Sequence, residues 1–407
     1  MNSILRVGII VDNELNDDPR VSRQIRIFRE SGFEIFVLCY GIRGKVYNNI
    51  EGVTVERILI SRRLKNILFF LLNSFPAYDL LWGGKTARFI KKFRISVLHV
   101  NDLYLSKPIY QAIKWSGMGS KMVLDLHENF PAAIKSYNWT KGLIRRFISQ
   151  PQKWERKETR YLGYADYIVV LSDWFKDSLL KKYNYLAEEN LIVFPNYLDL
   201  YEMERFDEAR RQIEFLKFGT VFLYFGVIAE RRGIFTAITA FNQLIGEGLN
   251  CQLVIIGPVD RADRPQFNRL IGNERLAGKI TYIPWIDVSC LPAYLGISDI
   301  GLAPFKKNPQ HDSGVSNKIF QYLYGELAVI ASDCEAQKEI IENYGCGLVF
   351  RSEPELLDSM RKLVNDPESR IRMGRNGKIA VIEELNLDKS KGELISLYSR
   401  IRKHPES

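Results

Sequence analysis

Short β-rich runs alternate with amphipathic stretches along nearly the whole chain, and this alternation limits the fold more than any other feature of the sequence. The first strand-like run, Arg6–Val11, precedes Pro19–Glu30, in which Val21, Ile25 and Phe28 have the spacing of a buried helix face. A parallel strand connection must cross one face of its sheet, and a helix fills that crossing. The alternation therefore predicts parallel sheets covered by helices.

The alternation forms two series with a pause between them. In the first series we predict strands at Arg6–Val11, Glu34–Cys39, Val97–Val100, Met122–Leu126 and Tyr167–Leu171. The pattern pauses near Asn190–Pro195, and Asp199–Leu216 is a charged stretch without a strand, which we interpret as the linker. In the second series we predict strands at Val221–Phe225, Leu253–Ile256, Ile280–Ile283, Ile300–Ala303, Ala328–Ala331 and Gly347–Phe350.

Two such series predict an α/β protein with two doubly wound, Rossmann-like parallel-sheet domains that face a cleft. We expect an N-terminal domain over residues 1–200, a C-terminal domain over 201–385 and a final helical segment over 386–407. The buried face of that helix is expected to consist of residues at helical spacing, namely Leu394, Leu397, Tyr398 and Ile401. Ligands of doubly wound sheets bind outside the carboxyl ends of the strands, so we expect substrate in the cleft.

The composition supports a globular protein. The chain has 407 residues, of which 46% are hydrophobic and 26% charged, and it contains no uninterrupted apolar run of the ~18 residues that a membrane span requires. Arg6 interrupts the start where an export signal needs an apolar stretch, so we expect a cytoplasmic protein. Its five cysteines are scattered and never spaced as C-x-x-C, which favours reduced core thiols over a disulfide framework or a zinc site.

The net charge of +9 is distributed unevenly along the chain. Residues 1–200 carry 30 Lys and Arg against 20 Asp and Glu, whereas residues 201–407 carry 27 against 28. A basic half of this kind favours an anionic partner such as a lipid headgroup layer, a polyphosphate substrate or nucleic acid, although ordinary solubility charge explains it equally well. We expect no nucleic-acid partner, because the chain contains no recognisable aromatic-basic module.

One segment of the second half carries the pattern of an anion site. A strand ends at Pro304, a polar loop follows, and Ser316 or Asn317 is placed to cap the next helix. The start of such a helix offers unpaired N–H groups and a partial positive charge to an anion, and Lys318 adds a full charge there. A diphosphate would fit. A capped helix with a surface lysine is the alternative interpretation.

The same segment, from Ser316 to Asp333, resembles the donor-site motif of the retaining nucleotide-sugar glycosyltransferases with the GT-B architecture (glycosyltransferase group 1, family 4-like). Further landmarks of that family follow in order across nearly the whole chain: Asp18–Val21, Leu124–Glu128, Pro195–Asn196, Tyr224–Gly226, Arg231–Gly233 and Gly345–Gly347. The resemblance implies transfer of a sugar from a nucleotide donor with retention of configuration. It also implies that the final helix crosses back to the N-terminal domain.

The resemblance assigns donor-binding roles in the second half of the chain. It implies that Arg232 and Lys318 bind the donor diphosphate, so that no metal and no other cofactor is expected. Gln321 stands where the family commonly has a ribose-binding glutamate, and Ser313 replaces a second family glutamate. The remaining donor-binding candidates implied by the resemblance are Ser316 and Asn317, Glu335 near the sugar, and Pro284 and Trp285 in the turn whose backbone groups recognise the base.

The resemblance also assigns roles in the first half. His127 occupies the position of the family's cleft histidine, where it would bind the donor sugar or stabilise developing charge without acting as a nucleophile. Glu128 follows it, and Asp18 and Arg20 lie in the acceptor-side loop after the first strand. An N-cap at Asp18, with Pro19 at the first helical position, explains that loop equally well.

Residues 61–75 join a basic cluster to six consecutive apolar residues. An exposed segment of this kind would lie in a membrane interface, with Phe69 and Phe70 among the acyl chains and the cations on anionic headgroups. A second basic cluster, residues 145–157, lies nearby in sequence. The alternative is a core helix of the first domain with a solvated basic end.

These observations predict a glycosyltransferase that acts on a nucleotide-sugar donor and a glycan or lipid-linked acceptor, located in the cytoplasm or peripherally on the inner face of the plasma membrane. The departures at Ser313 and Gln321 leave open a catalytically silent GT-B subunit that binds a partner glycosyltransferase or a glycan. A nucleotide-sugar epimerase is disfavoured, because only four histidines are available for its chemistry.

Overall fold

The computed structural model describes residues 4–15, 18–137, 140, 142–208 and 213–403, with the side chains of 144–146 left aside. The chain divides into two compact units. The first unit comprises Met1–Pro195 and Lys391–Ser407, and the second comprises Asn196–Ser390.

The first unit is built on a seven-stranded sheet. Its strands are β1 (Arg6–Ile10), β2 (Glu34–Ile42), β3 (Val53–Ile60), β4 (Val97–Asn101), β5 (Lys121–Asp125), β6 (Tyr167–Val170) and β7 (Leu191–Val193). Its helices are α1 (Pro19–Glu30), α2 (Arg62–Phe70), α3 (Ala77–Phe93), α4 (Ser106–Ser116), α5 (Phe130–Ser136), α6 (Leu143–Ser149), α7 (Lys153–Leu162) and α8 (Asp173–Lys182). The strand order is β3-β2-β1-β4-β5-β6-β7, and every neighbouring pair is parallel.

The second unit is built on a six-stranded sheet. Its strands are β8 (Thr220–Phe225), β9 (Cys251–Ile256), β10 (Ile280–Ile283), β11 (Ile300–Ala303), β12 (Ala328–Ser332) and β13 (Gly347–Phe350). Its helices are α9 (Leu200–Glu208), α10 (Ile234–Gly246), α11 (Arg264–Ile271), α12 (Leu291–Ile297), α13 (Pro309–Asp312), α14 (Asn317–Tyr324), α15 (Glu335–Tyr344), α16 (Glu353–Asn365) and α17 (Pro367–Glu383). The order is β10-β9-β8-β11-β12-β13, again with parallel neighbours throughout.

The predicted α/β class with two doubly wound parallel sheets is confirmed. Central strands such as β1, β4 and β9 are buried along nearly their whole length, as expected where helices cover both faces of a sheet. The strand order reverses between β1 and β4 in the first unit and between β8 and β11 in the second. Ligands of such sheets bind at these reversal points, beyond the carboxyl ends of the strands.

The described residues of Asp199–Leu216 contain no strand, as expected, but the structure places a strand in the preceding pause and a helix within the predicted linker. Leu191–Val193 forms β7, an edge strand too short to show an apolar alternation. Leu200–Glu208 forms α9, whose Met203 is buried in the core of the second unit. The sequence reading also missed β3, Val53–Ile60, although this strand pairs along its whole length with β2.

The last helix, α18 (Leu387–Lys403), begins in the second unit, and its residues from Lys391 onward belong to the first. The four side chains expected on its buried face are all buried, namely Leu394, Leu397, Tyr398 and Ile401. The Tyr398 ring packs against Phe28, with the ring centres 4.5 Å apart. All five cysteines are free, and Cys290 is the only one not fully buried. Within the described ranges, no helix is both long and apolar enough to cross a membrane.

Candidate active site

The N-terminus of α14 in the second unit lacks the partners that a helix start requires. Ser316 occupies the N-cap position, but its side chain makes no capping hydrogen bond to the described residues. The backbone N–H groups of Asn317 and Lys318 likewise donate to no described residue. Because unpaired N–H groups and the helix dipole attract negative charge, this helix start can bind an anion.

Lys318 is buried beside that helix start, and only 6% of the residue is exposed. Its Nζ lies 3.7 Å from the centre of the Tyr224 ring and 5.1 Å from the centre of the Phe305 ring. Its ammonium group forms no ion pair with a carboxylate of the described residues. Burial, together with the nearby charge of Arg232, holds the pKa of Lys318 well below its usual value. The interpretation of Lys318 as a surface lysine is therefore wrong.

Gly226, directly after β8, leaves the space that the Lys318 ammonium occupies. Its φ of 130° is accessible to glycine, and a Cβ at this position would lie 3.3 Å from Lys318 Nζ. Gly226 follows β8 and Phe305 follows β11, the two strands between which the sheet order reverses. The lysine head group therefore lies where the topology favours a ligand.

Arg232 ends a short 3₁₀ turn, Glu230–Arg232, close to the same position. The turn is followed by Gly233 at a φ of 73°, where a Cβ would overlap the carbonyl oxygen of Pro304. The guanidinium carbon of Arg232 lies 5.3 Å from the centre of the Phe305 ring, so this ring contacts both Arg232 and Lys318. Two cations next to a helix start are suited to a diphosphate.

His311, which we did not single out in the sequence, lies beside the same Phe305 ring. Its ring lies 4.9 Å from the Phe305 ring, and its Nδ1 lies 2.7 Å from the carbonyl oxygen of Lys306. Burial lowers the pKa of His311 to about 4, and the charge of Arg232 contributes to that shift, so the ring is neutral at pH 7. The loop was singled out in the sequence only for Ser313, whose buried hydroxyl donates to the Gln310 carbonyl oxygen.

The other donor-side candidates differ in their hydrogen bonds to the rest of the protein and in their exposure. Gln321 is half-buried on α14, and its side-chain amide has no hydrogen-bond partner among the residues described. Glu335 begins α15 and accepts a hydrogen bond from Lys307 at 2.7 Å, which neutralises its charge. Pro284 and Trp285 follow β10 directly, and Trp285 is 71% exposed. Gln321 and Trp285 therefore have polar or aromatic surface left for a ligand.

A buried charge network lies in the first unit at the end of β5. Asp125 is fully buried and accepts from Arg20 through both carboxylate oxygens, at 2.7 and 3.0 Å, and from Gln24. Despite the cost of burial, the charge of Arg20 holds the pKa of Asp125 well below its usual value. Arg20 also donates to the Phe194 carbonyl oxygen at 3.0 Å.

Two of the acceptor-side candidates thus have structural partners instead of an open loop position. Arg20 lies inside α1 and is buried against Asp125, so its guanidinium is not displayed in the loop as expected. Asp18 is the N-cap of α1, where its side chain accepts from the Val21 N–H and Pro19 takes the first helical position. The N-cap alternative therefore describes Asp18 correctly.

His127 lies two residues after β5, close to the Asp125 carboxylate. Its Nε2 is 2.8 Å from Asn101 Oδ1 and 3.4 Å from Asp125 Oδ2. Burial lowers the pKa of His127, but the charges of Asp125 and Asp102 outweigh burial and raise it above its usual value. The histidine side chain remains 19% exposed, so it is accessible to a ligand.

Two further carboxylates lie near His127. Asp102 follows β4 with a φ of 76°, and burial raises its pKa to about 6. Tyr104 donates to its carboxylate at 3.0 Å. Glu128 accepts hydrogen bonds from the Tyr137 hydroxyl at 2.8 and 2.9 Å. The sequence reading assigned Glu128 but missed Asp102, whose left-handed backbone at a strand end gives no sequence signal.

The 61–75 segment forms a helix of intermediate burial. No residue of α2 is fully buried, and Leu64, Ile67 and the following Phe75 are 47%, 43% and 64% exposed. Phe69, in contrast, packs edge-on against Tyr104 in the core, with ring centres 5.2 Å apart. Phe69 and Phe70 are both half-buried, so less of their side chains is available to a membrane than expected. Of the second basic cluster, Arg145 and Arg146 lie outside the described side chains.

Comparison with known proteins adds the chemistry. Residues 21–202 match the model of Glycosyltransferase Family 4, and residues 205–380 match that of Glycosyl transferases group 1. The chain is 27% identical over 342 residues to alpha-D-kanosaminyltransferase of Streptomyces kanamyceticus, covering 82% of this chain and 84% of that protein.

Solved structures show the same fold. Sucrose-phosphate synthase from Thermosynechococcus elongatus superposes with a TM-score of 0.74 at 16% identity, over 98% of this chain and 99% of that one. HepE of Anabaena, solved in complex with UDP, gives 0.69 at 11% identity, over 98% and 100%. The two parallel-sheet units and this similarity define the GT-B architecture. With both family matches, this identifies the protein as a GT-B glycosyltransferase.

Proposed function

We propose that this glycosyltransferase moves a hexosyl or N-acetylhexosaminyl group from a nucleoside diphosphate donor to a glycan or lipid-linked acceptor, with retention of configuration, in polysaccharide or glycolipid assembly. The observation that carries the proposal is the buried, carboxylate-free Lys318 at the start of α14, next to Arg232. A cation in this environment gains most from a diphosphate, because an anion replaces the solvation that burial has removed.

The reaction follows from the placement of charge. The bond between the sugar C1 and the diphosphate oxygen breaks while the acceptor oxygen bonds to C1 on the same face, and the acceptor's proton passes to the leaving phosphate oxygen. Lys318, Arg232 and the α14 N–H groups stabilise the developing charge of the leaving diphosphate. His127 acts on the sugar or on charge that develops there, Gln321 binds the ribose, and Trp285 contacts the base.

Uridine is the base that we propose for the donor, because the similar fold of HepE was solved with UDP. The similarity to a kanosaminyltransferase adds amino sugars to the candidates. The test incubates the purified protein with a panel of UDP-sugars, including UDP-kanosamine, and follows release of UDP and the anomeric configuration of the product by NMR. Lys318→Met should abolish release, whereas Lys378→Met, which removes an exposed lysine of the same unit, should not.

Two results would contradict this function. Inversion at C1 would exclude the retaining mechanism. Binding of UDP without hydrolysis or transfer from any donor in the panel would instead identify a catalytically silent subunit, which the Ser313 and Gln321 departures allow.

We also propose that the donor binds without a divalent metal, since Arg232, Lys318 and the helix start supply positive charge to the diphosphate. EDTA should therefore change neither UDP affinity nor transfer rate. If EDTA lowered the UDP affinity or the transfer rate, and added Mg²⁺ or Mn²⁺ restored it, this part of the proposal would be overturned.

We further propose that the first unit docks on the anionic, cytoplasmic face of a membrane. That unit carries 34 Lys and Arg against 21 Asp and Glu, a net charge of +13. Exposed apolar side chains available for docking are Leu64 and Ile67 of α2, Phe75 after it, and Phe147 of α6, which is 78% exposed. Side chains of Asn73 and Ser74 donate to the Ser149 and Ile148 carbonyl oxygens, so the end of α6 lies beside the turn after α2.

Sedimentation with vesicles tests docking. Binding should rise with the fraction of anionic lipid and fall with salt, because Arg62 and Arg63 contribute through screened charge. Phe75→Ser with Phe147→Ser should weaken the binding that persists at high salt, whereas Leu216→Ser, at an 85% exposed position of the second unit, should not. The proposal would be contradicted if the native protein did not bind vesicles. It would also be contradicted if the native protein bound them but neither salt nor these substitutions changed the binding.

A further inference from the structure

The hydrogen bonds around His127 determine which of its two ring nitrogens carries a proton. Asn101 is fully buried, and its Nδ2 donates to the Ile10 carbonyl oxygen at 3.0 Å. This bond fixes the orientation of the amide, so Oδ1 is the atom that lies 2.8 Å from His127 Nε2. Since a carbonyl oxygen can only accept, Nε2 must be the donor.

The second neighbour of Nε2 imposes the same requirement. Asp125 Oδ2 lies 3.4 Å from His127 Nε2, and this carboxylate is kept ionised by Arg20. It too can only accept. A second histidine also lies near Asp125 Oδ2: His99 Nε2 is 3.4 Å from this oxygen, and His99 Nδ1 is 2.7 Å from the Tyr398 hydroxyl.

The other ring nitrogen of His127 has a different environment. Within the described part of the chain, Nδ1 has no hydrogen-bond partner, and 19% of the side chain is exposed. We infer that Asn101, with Asp125, holds His127 with its proton on Nε2 and so presents Nδ1 to the substrate. Asn101 is thus a positioning residue, and Nδ1 is the catalytic atom. The substrate part of this inference rests on the proposed function.

The charges near His127 extend the pH range in which its ring is protonated and Nδ1 is a proton donor. Asp125, the last residue of β5, and Asp102, directly after β4, raise the pKa of His127, while burial and Arg20 of α1 lower it. Below the raised pKa, Nδ1 carries a proton and can donate to a sugar hydroxyl or to an oxygen that gains negative charge. Above it, Nδ1 can only accept.

The inference is tested by NMR, independently of turnover. Long-range ¹H–¹⁵N spectra of the full-length protein are recorded between pH 5 and 9, with His127→Gln to assign the signals among four histidines. The expected result is a neutral His127 protonated on Nε2. Asn101→Leu should lower the His127 pKa by about one pH unit, since it removes an acceptor that favours the charged ring, and Asn101→Asp should raise it.

The matched control is Asn386→Leu, which removes another buried asparagine whose Nδ2 donates to backbone carbonyl oxygens. It should leave the His127 pKa unchanged. Proton occupancy on Nδ1 in neutral His127 would overturn the inference, as would an unchanged pKa in both Asn101 variants. If Asn101→Leu does not fold, the inference is tested by the tautomer of His127 in the native protein and by the His127 pKa in Asn101→Asp. Absence of sugar transfer would refute the proposed function but leave these spectra interpretable.

In transfer assays, the high-pH limb of the rate profile should move with the His127 pKa, down in Asn101→Leu and up in Asn101→Asp. A lower rate with an unmoved pH profile would mean that Asn101 has only a structural role.

Discussion

The two units bury charge in opposite ways. In the first, Asp125 is enclosed by the donors of Arg20 and Gln24, so the buried charge is paired within the protein. In the second, Lys318 is buried against aromatic rings and next to another cation, Arg232, without a carboxylate of the described residues in contact. The pKa of each group is lowered, but this favours the charge of Asp125 and disfavours that of Lys318.

The difference distinguishes a supporting network from a binding site. A buried charge with internal partners contributes to stability and rigidity, whereas a buried charge without a counter-ion gains stabilisation only when a ligand supplies one. The overall charge does not reveal this. The first unit has a net charge of +13 and the second −4, yet the proposed diphosphate site lies in the acidic one.

The largest expected effect is loss of stability on breaking the Asp125 network. Asp125→Asn leaves the buried Arg20 guanidinium without its counter-ion and should lower the free energy of unfolding by about 3–5 kcal/mol. Urea unfolding at pH 7 measures it. Glu34→Gln, which breaks the exposed ion pair with Arg6 in the same unit, should have almost no effect. Equal stability of both variants would mean that the network contributes nothing.

The corresponding change in the second unit should act in the opposite direction. Lys318→Met removes a cation whose solvation was lost without compensation, and it leaves no partner unpaired. The free energy of unfolding should therefore stay equal or increase. A decrease of more than about 2 kcal/mol in the same urea experiment would show that Lys318 is a structural residue.

Ligand binding should change the protonation of Lys318. The pKa of Lys318 is lowered in the free protein, and a bound diphosphate raises it. At a pH where Lys318 is partly neutral in the free protein, its amine therefore takes up a proton when the diphosphate binds. UDP affinity should accordingly fall as pH rises through the lowered pKa. Calorimetry in two buffers with different ionisation enthalpies measures the proton uptake as the pH is varied. Absence of uptake at every pH at which the native protein binds UDP would contradict this expectation.

The smallest expected effect is on the pH dependence of stability. The folded pKa of His127 is raised above its usual value of 6.5. Its stabilising contribution is thus complete below about pH 6.5 and is lost as pH rises through the folded pKa. The difference in unfolding free energy between the native protein and His127→Gln should be larger at pH 6 than at pH 8.5. A difference independent of pH would contradict the assignment.

The sequence permitted prediction of the doubly wound sheets because central strands buried on both faces are short runs rich in apolar residues. β7 was missed because three residues cannot display a period. The pairing of Arg20 with Asp125 joins positions 105 residues apart, and no local pattern encodes it. The same holds for the burial of Lys318, which depends on Tyr224 and Phe305 from two other strand ends.

On the donor side, the pattern of a helix start indicated Ser316, Asn317 and Lys318, and the resemblance added the other candidates. Their roles remain predictions. The structure added what a motif cannot contain: the burial of Lys318, the neutral His311 and the orientation of Asn101 toward His127. These features depend on which side chains meet in three dimensions. The exposure of α2 is of the same kind, because apolar periodicity does not distinguish a core helix from one that lies half in solvent.

Calorimetric titration with UDP of the native protein, Lys318→Met and Lys378→Met tests most directly whether Lys318 forms a diphosphate site. The account predicts that the native protein and Lys378→Met bind UDP alike, and that Lys318→Met binds about 10- to 100-fold more weakly while remaining as stable as the native protein. Equal UDP affinity of Lys318→Met and the native protein would contradict it.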